Sequence, residues 1–301
     1  MVTTGPATAA RVAIATCRRA PDIDRDDVPL VAPLRGRGIS VTPEVWDDPD
    51  VDWDSYDLTV IRSTWDYPPR RDAFLEWTRR VSRLANPADV VAWNTDKRYL
   101  ATLDEVGVPV VPTTCLLPGE RWQTPADGEW VVKPAVSVGS LDTGRYDVSN
   151  PAQRQLATEL ISRLHDAGRV AMVQPYLSAV DTYGETALLF FNGEFSHAIR
   201  KGPMLDGPYD GAPGLYKWED IGSREPSAAE RDVAEKVLST AGDPYRLLYA
   251  RVDLIPGPDG PLLVELELTE PSVYLRFDSG AGERFAAAIE ATLAKDLQDA
   301  P

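Results

Sequence analysis

Histidine and cysteine are scarce in this chain of 301 residues, with two of each. The two histidines, His165 and His197, argue against a histidine-rich metal centre and against a histidine-based proton relay. The two cysteines, Cys17 and Cys115, lie far apart in the sequence and indicate neither a disulfide framework nor a thiolate metal site. Their scarcity favours a protein of the reducing cytoplasm.

Basic residues are also few relative to acidic ones. Lys and Arg number 31 against 47 Asp and Glu, which gives a formal net charge of −16. No block of Lys and Arg interrupts this excess, so the composition argues against binding to nucleic acid or to an anionic membrane. No apolar run approaches the ~20 residues that span a bilayer, and residues 1–10 lack the layout of a secretory signal. We therefore expect a cytoplasmic protein that binds neither nucleic acid nor membrane.

Hydrophobic residues make up 43% of the chain, which is enough for a buried core. The length predicts about two domains. The first ninety residues alternate β-branched apolar runs with helical patterns, which predicts a parallel sheet covered on both faces. The predicted strands are 12–16, 39–46 and 58–62, and the predicted helices are 28–37 and 73–84. Ligands of such sheets bind beyond the carboxyl ends of the strands, here after Thr16 and Arg62.

The rest of the chain has more antiparallel signals. Asn192-Gly193 between two apolar runs predicts a hairpin with a type I′ turn. Thr95 is a suitable N-cap, and it predicts a helix that ends before Gly107. The Gly/Pro-rich segment 204–214 is expected to be a mobile loop. The further predicted helices are 95–106, 153–167, 228–240 and 284–297, and the further predicted strands are 130–133, 170–174, 186–191, 194–200, 247–254 and 262–268.

Three acidic residues interrupt two apolar strands near the end of the chain. Asp253 lies in the first of these strands, and Glu265 and Glu267 lie two residues apart on one face of the second. Three carboxylates crowded together need a counter-charge, and oxygen ligands of this kind suit Mg²⁺. The alternative is an amphipathic hairpin whose acidic face points into water.

Four cations follow patterns that suit an anionic ligand. Lys133 ends a short strand and precedes a small, polar loop that contains Gly139, and such a loop can bring backbone N–H groups close to phosphate. Lys97 lies in the predicted first turn of a helix, where a cation opposes the helix dipole. Arg200 and Lys201 end the hairpin strand and could bind a phosphoryl group or a carboxylate. A surface turn and solvent exposure are the alternatives.

Six segments in this order resemble the ATP-grasp superfamily, in particular its glutathione-synthetase-like and RimK-like branch. They are NTDKRYLATLDEVGVPVVPT, WVVKP, VQPYLSAVDTYGE, NGEFSHAIRK, RVDLI and LLVELELTEPS. The resemblance begins near residue 91 and continues to the last helix. It implies an α/β protein with an N-terminal pre-ATP-grasp domain at 1–92 and an ATP-grasp domain at 93–301. The latter would contain a lid subdomain at about 113–177 and a mainly antiparallel subdomain at about 178–301.

The resemblance also implies a role for each matching residue. Arg200, with Lys201, would bind the γ-phosphate and stabilise the transition state. Asp253, Glu265 and Glu267 would hold two Mg²⁺ ions, with Mn²⁺ as an alternative, although Glu267 stands where the family commonly has Asn. The ATP-binding residues would be Lys97, Lys133, Ser137, Gly139, Ser140, Gln174, Pro175, Tyr176, Leu177 and Glu185. Residues 135–145 would form the flexible lid loop.

The motif RSTWDY follows the third predicted strand and combines groups that suit a small zwitterion. Arg62 could bind a carboxylate, Asp66 an ammonium group, and Trp65 and Tyr67 could form aromatic walls. The alternative for the two aromatic residues is packing against the following helix. The full set of candidate substrate residues is Thr16, Arg62, Ser63, Thr64, Trp65, Asp66 and Ser272.

The RSTWDY motif, the VELELTEPS ending and the chain length are similar to the O-ureido-serine cyclo-ligases of the D-cycloserine pathway. This resemblance implies ATP-dependent activation of a small amino-acid carboxylate and ring closure by a nitrogen of the same molecule. The alternatives are an intermolecular carboxylate–amine ligase, a kinase-like transfer and a nucleotide-binding regulator without catalysis. A homodimer is a further expectation, because many relatives dimerise.

Overall fold

The computed structural model describes residues 9–211, 220–243 and 246–298. Within these ranges the strands form one parallel sheet and two antiparallel sheets. The loop predicted at 204–214 is described as far as residue 211, and 212–214 lie outside the described residues. No helix in the described ranges is both long and apolar enough to cross a membrane.

The N-terminal sheet has the strand order β2-β1-β3-β4 and is parallel throughout, as the alternating pattern predicts. Its central strands are buried because their apolar side chains are covered on both faces. The predicted helix at 73–84 ends earlier, at Arg80, and Leu84 begins a short edge strand instead. The elements are β1 (Ala10–Thr16), α1 (Val28–Gly36), β2 (Ile39–Val45), β3 (Leu58–Ile61), α2 (Arg71–Arg80) and β4 (Leu84–Ala85).

The helix predicted at 95–106 is present as α4 (Tyr99–Glu105), which begins four residues later than predicted. A separate helix, α3 (Ala88–Asn94), precedes it, and Thr95 ends α3 rather than capping α4. The Thr95 N–H donates to Val91 O, and the Lys97 N–H donates to Ala135 O at 2.9 Å. A long-range backbone hydrogen bond therefore interrupts the helix that the local signals favour.

The middle sheet has the order β5-β8-β6-β7 and is antiparallel. Its helix is α5 (Pro151–Asp166), where Asn150 caps the N-terminus by accepting from the Ala152 and Gln153 N–H groups. Buried side chains of α5 pack in one cluster with those of the sheet. The strands are β5 (Thr114–Leu116), β6 (Glu129–Pro134), β7 (Gly144–Asp147) and β8 (Ala171–Pro175).

The C-terminal sheet has the order β11-β10-β9-β12-β13 and is also antiparallel. Asn192 and Gly193 have φ angles of 48° and 80°, so the predicted type I′ turn is present between β9 and β10. The strands are β9 (Glu185–Phe191), β10 (Glu194–Lys201), β11 (Ile221–Arg224), β12 (Tyr249–Gly257) and β13 (Gly260–Glu267). The helices are α6 (Ala179–Tyr183), α7 (Ala228–Thr240) and α8 (Ala281–Gln298).

The N-terminal and C-terminal sheets share one hydrophobic core. Side chains of β1, β3 and α1 pack with those of β9, β12 and α8 in a single cluster. Asn86 adds a polar connection, because its side-chain amide donates to Tyr249 O and Leu268 O and its carbonyl accepts from the Leu248 N–H. These contacts hold the carboxyl ends of β1 and β3 close to the ends of β12 and β13.

Candidate active site

A cavity of about 460 Å³ opens where the three sheets meet. Asp26, from the loop after β1, lines it on one side. Lys133 of β6 lines it from the middle sheet, and Lys201 of β10 lines it from the C-terminal sheet. Every sheet of the described structure therefore contributes a charged side chain to one cavity.

The three predicted metal ligands lie together on the β12–β13 hairpin. Asp253 is directly opposite Glu265 in the strand register, and Glu267 shares the face of Glu265. Glu265 and Glu267 line the cavity, and Asp253 is 1% exposed. The hairpin thus turns its acids inward, which removes the alternative of an acidic face in bulk water.

Buried cations compensate these acids. Arg251 forms a two-pronged ion pair with Asp253, from Nε to Oδ1 and from Nη2 to Oδ2, both at 2.9 Å, and it also contacts Glu267. Lys201 Nζ lies 2.8 Å from Asp253 Oδ2 and also contacts Glu185. Burial opposes the charged carboxylate, but Arg251 and Lys201 lower the pKa of Asp253 to about 2.

Arg251 is a site residue that the sequence analysis missed. It precedes Asp253 by two positions in the same strand, so both side chains project from the same face. The same i, i+2 spacing that places Glu265 and Glu267 on one face of a strand would have predicted that Arg251 lies beside Asp253.

Lys97 and Lys133 both reach the cavity, as predicted. Lys97 Nζ donates to Ser137 O at 2.7 Å and lies 3.1 Å from Glu265 Oε1. Burial lowers the pKa of Lys133, against the opposing effect of Glu265. The turn between α3 and α4, rather than a helical first turn, places Lys97 there.

Arg200 and Lys201 are separated by the alternation of their strand. Lys201 points into the cavity, whereas the Arg200 Nε donates to Tyr183 O at 2.9 Å and the side chain does not line the cavity. Arg200 Nη1 also lies 3.8 Å from Asp220 Oδ2. Arg200 therefore does not line the cavity, because adjacent residues of a strand face opposite sides, although its partner Asp220 does line it.

The predicted nucleotide residues lie at the middle sheet and its loop, except Lys97 in the turn between α3 and α4 and Glu185, which begins β9 of the C-terminal sheet. Gln174 Nε2 donates to Thr113 Oγ1 at 2.8 Å, and the Arg145 guanidinium lies 3.6 Å from the centre of the Tyr176 ring. The predicted residues that line the cavity here are Ser137, Gly139, Ser140, Gln174, Pro175, Tyr176, Leu177 and Glu185.

Most of the RSTWDY motif lies away from the cavity. Arg62 is 2% exposed and forms an ion pair with Asp27, at 3.0 Å from Nη2 to Oδ1. Asp66 accepts from Trp46 Nε1 at 2.9 Å and from Arg70 Nη2 at 2.8 Å. These partners engage the Asp66 carboxylate and the Nε and Nη2 atoms of Arg62, whereas Arg62 Nη1 has no hydrogen-bond partner among the described residues. Both groups that were expected to bind a zwitterion are therefore paired with other side chains of the protein.

The small polar candidates Thr16, Ser63 and Thr64 are also buried away from the cavity, but their hydrogen bonding differs. Thr16 donates to Pro21 O or Glu44 O. The Ser63 and Thr64 hydroxyls have no hydrogen-bond partner among the described residues. The substrate candidates that do line the cavity are Trp65 and Ser272, together with the aromatic Tyr67. The Tyr67 ring also stacks on Phe74 of α2, with 4.6 Å between the ring centres. Tyr67 therefore both packs against the following helix and lines the cavity.

Three further cavity residues were not predicted. Burial and the nearby Glu267 raise the pKa of Glu270 to about 8, and Glu270 is hydrogen-bonded to Tyr67. Burial and the adjacent Asp27 raise the pKa of Asp26 to about 6. Tyr274, at a φ of 51°, donates its N–H to Asp26 Oδ2 at 2.7 Å. The sequence alone does not predict that a single carboxylate in a loop is buried at a cavity, because a loop has no repeating pattern of buried and exposed positions.

The carboxylates fit a hard divalent cation by their chemistry. Among the residues that the structure describes, no three His, Cys, Asp or Glu side chains converge on one point as metal ligands do. However, Asp253 and Glu265 are like charges in directly opposed positions, and burial raises the pKa of Glu267 to about 7. The oxygen-only donor set and its excess negative charge suit Mg²⁺.

Comparison with solved structures identifies the fold. The D-alanine–D-alanine ligase of Bacillus anthracis, solved with ATP, superposes with a TM-score of 0.63 at 11% identity, over 97% of this chain and 99% of the ligase. A RimK-domain ATP-grasp protein of Sphaerobacter thermophilus superposes with a TM-score of 0.64 at 15% identity, over 95% of this chain and all of that protein. The fold is that of the ATP-grasp ligases.

Closer similarity identifies the family. The cycloserine biosynthesis protein DcsG of Streptomyces lavendulae is 38% identical over 286 residues, which cover 89% of this chain and 93% of DcsG. The crystal structure of D-cycloserine synthetase DcsG superposes with a TM-score of 0.82 at 37% identity, over 94% of this chain and all of that one. Residues 12–86 match the N-terminal domain family of D-cycloserine synthetase DcsG. The chain therefore belongs to the DcsG family and is an ATP-grasp ligase.

Proposed function

We propose that this ligase closes the ring of O-ureido-D-serine to give D-cycloserine, with conversion of ATP to ADP and phosphate. The 38% identity to a cycloserine biosynthesis protein carries the choice of substrate. The cavity supports the chemistry, because a space of about 460 Å³ is lined both by buried lysines and by the carboxylates of the β12–β13 hairpin.

The reaction needs positioning and charge neutralisation rather than a protein nucleophile. A carboxylate oxygen of the substrate attacks the γ-phosphorus of ATP, and ADP leaves. The ureido nitrogen that is bonded to oxygen then attacks the acyl carbon, loses its proton and expels phosphate, which closes the ring. Water removes the carbamoyl group as carbamate, which decomposes to carbon dioxide and ammonia.

The cations would divide between the phosphates of ATP and the transferred group. We assign Lys97 and Lys133 to the phosphates, since both reach the cavity beside the loop that contains Ser137. We assign Lys201 and Arg251 to the transferring phosphoryl group, where fixed positive charge lowers the barrier. This assignment replaces Arg200, whose guanidinium is bound to a carbonyl outside the cavity.

Asp253, Glu265 and Glu267 would hold the Mg²⁺ ions, of which the family resemblance implies two. Bound Mg²⁺ would neutralise charge on the phosphates. Lys201 and Arg251 compensate Asp253, which prevents a buried, unpaired carboxylate.

The purine end of the nucleotide would lie at Gln174–Leu177, with Glu185 near the ribose. These residues line the cavity beside the loop after β6. The domain boundary at 92/93, the cytoplasmic location and the homodimer remain predictions, as does the use of Mn²⁺.

Incubation of the purified protein with O-ureido-D-serine, ATP and Mg²⁺ tests the proposal. We expect release of ADP and phosphate together with D-cycloserine, identified by mass spectrometry, without any added amine. Phosphate release that requires a second amine would instead indicate an intermolecular ligase. ATP that remains unchanged with this substrate would contradict the proposal.

A further inference from the structure

Asp26 is a buried residue that lines the cavity, and one oxygen of its carboxylate accepts no hydrogen bond from the described residues. Its side chain is 10% exposed, and Oδ2 accepts the Tyr274 N–H at 2.7 Å. Within the described ranges Oδ1 has no hydrogen-bond partner. Arg276 Nε lies 4.0 Å from this oxygen, which makes a long ion pair without a hydrogen bond.

Asp27, the residue next to Asp26, is held in place by a buried ion pair with Arg62. Asp27 accepts both hydrogen bonds from Arg62 Nε, at 3.1 and 3.0 Å, and Arg62 lies over the rings of Tyr249 and Phe285. Both members of this ion pair are buried. The anchor holds the end of the β1–α1 loop, so Asp26 keeps its place at the cavity wall.

The other buried carboxylates of the cavity have partners. Glu265 pairs with Lys97, Glu267 contacts Arg251, and Glu270 is hydrogen-bonded to Tyr67. A buried carboxylate oxygen without a donor is costly, and a cationic donor satisfies it best. The pKa of Asp26 is raised by burial and by Asp27, which agrees with a carboxylate that Arg62 and the distant Arg276 compensate only in part. Aromatic side chains of Trp65 and Tyr274 line the same cavity.

We propose that Asp26 binds the α-ammonium group of the amino-acid substrate and that Arg62, acting through Asp27, is a positioning residue for this contact. The proposal rests on the proposed function, because it concerns the same substrate. It moves ammonium recognition from Asp66 to the loop after β1, and it explains why the arginine of the RSTWDY motif is buried.

A pair of substrates tests the contact directly. The probes are O-ureido-D-serine and its analogue in which hydrogen replaces the α-ammonium group. In the unmodified enzyme we expect kcat/KM for the analogue to be lower by about 100-fold or more, the usual scale for a lost partner of a buried charge pair. Asp26→Asn should lower kcat/KM for O-ureido-D-serine by a similar factor. It should leave kcat/KM for the analogue within about threefold of the value for the unmodified enzyme. The KM for ATP should not change.

Asp22→Asn is the matched control, because Asp22 lies in the same loop but is exposed and does not line the cavity. It should leave both substrates unaffected. Equal losses on the two substrates in Asp26→Asn, or no loss on either, would overturn the inference. An unmodified enzyme that does not turn over O-ureido-D-serine would instead refute the proposed function, so the two failures are distinguishable.

The role of Arg62 has its own readout. Arg62→Gln should raise the KM for the amino-acid substrate and leave the KM for ATP unchanged, and Arg62→Lys should restore part of the affinity because it again compensates Asp27. A parallel rise in both KM values would show a merely structural role and would overturn this part. Thermal unfolding of each variant verifies that the measured protein is folded.

Discussion

Lys201 and Arg200 are adjacent in β10, and their side chains lie on opposite faces of the strand. We can therefore test separately whether each cation contributes to catalysis. Lys201 lies between Glu185 and Asp253, whereas Arg200 is bound to Tyr183 O. We expect Lys201→Met to lower kcat by about 100-fold or more, since it removes a fixed charge from the phosphoryl site.

Arg200→Met is the matched control for Lys201→Met. It should change kcat by about threefold or less, because the substitution lies on the far face of the strand. Steady-state phosphate release measures both variants, and thermal unfolding reports whether each is folded. Larger inhibition by Arg200→Met would restore Arg200 as the catalytic cation.

Asp26 gives a second prediction at the scale of one residue, concerning stability. Burial and Asp27 raise its pKa to about 6 from an ordinary value of 3.8. The folded state therefore holds this proton more tightly than the unfolded state, and the charged form opposes folding at neutral pH. The stability that protonation contributes is present below about pH 4 and is lost as the pH rises through about 6.

Asp26→Asn removes this charge and should increase the free energy of unfolding at pH 7 by about 2–3 kcal/mol, at 1.36 kcal/mol for each pKa unit. Denaturant unfolding of both proteins at pH 7 and near pH 4 measures the effect. The difference between the two proteins should shrink at the lower pH. A variant that is no more stable than the original at pH 7 would contradict the assignment.

Local sequence patterns predicted the candidate site residues that lie on strands, but they did not predict several of the cavity residues that lie on loops. Period-two spacing brought Glu265 and Glu267 to one face, and it also explains Arg251 and the separation of Arg200 from Lys201. Composition suggested Asp66 as an ammonium ligand, yet Trp46 and Arg70 already satisfy it. Whether a carboxylate is free to bind a ligand depends on donors from distant parts of the sequence, and a local motif does not show them.

At the scale of elements, side chains of α3 and α4 bind the free edge of β13. The Tyr99 hydroxyl donates to Leu266 O and accepts from the Leu266 N–H, both at 2.8 Å. Asn94 donates to Leu266 O and accepts from the Leu268 N–H, both at 2.7 Å. These bonds take the place of a neighbouring strand, and they fix the segment that carries Glu265 and Glu267.

Tyr99→Phe should destabilise the fold by about 1–3 kcal/mol, because it leaves buried backbone groups of Leu266 with fewer partners. It should also lower ligase activity, since Glu265 and Glu267 flank Leu266. Tyr56→Phe, which loses a hydrogen bond to Glu44 in the N-terminal sheet, is the control. It should leave activity unchanged, and chemical unfolding with activity assays compares the two. Full activity of folded Tyr99→Phe would contradict this role.

The elements themselves were predictable where the pattern was local and strong. The hairpin around Asn192-Gly193 and the helix at 228–240 agree with the structure. The helix predicted at 95–106 is present from Tyr99 to Glu105, but its predicted start was wrong, because Thr95 ends the preceding helix and the Lys97 N–H is bonded to Ala135 O, far along the chain. The two-residue strand β4 is too short to show a repeating pattern.

For the molecule as a whole, charge is distributed unevenly. The chain carries a net charge of −16, yet four buried cations lie at or line the cavity. They are Lys97, Lys133, Lys201 and Arg251. A buried cation interacts more strongly with phosphate than an exposed one, because water screens it less. We therefore expect a triphosphate to bind in this cavity despite the acidic surface.

Mg-ATP should stabilise the whole protein, because its site is lined by all three sheets. At a concentration of about 100 times its Kd, a ligand that binds only the folded state adds about 2.7 kcal/mol. For a chain of this size that amounts to a rise in Tm of roughly 4 °C. Lys133→Gln should abolish most of this rise, since it removes a buried cation from the phosphate site.

Lys236→Gln is the matched lysine control for the thermal-shift experiment. Lys236 binds Gly107 O on the surface and does not line the cavity, so this variant should keep the full rise in Tm with Mg-ATP. Chelation of Mg²⁺ should reduce the rise in the unmodified protein, because the acids of the β12–β13 hairpin then face the triphosphate without a bridging cation. Equal rises for Lys133→Gln and Lys236→Gln would place the nucleotide elsewhere, since only the former substitution changes the charge that the cavity presents to phosphate.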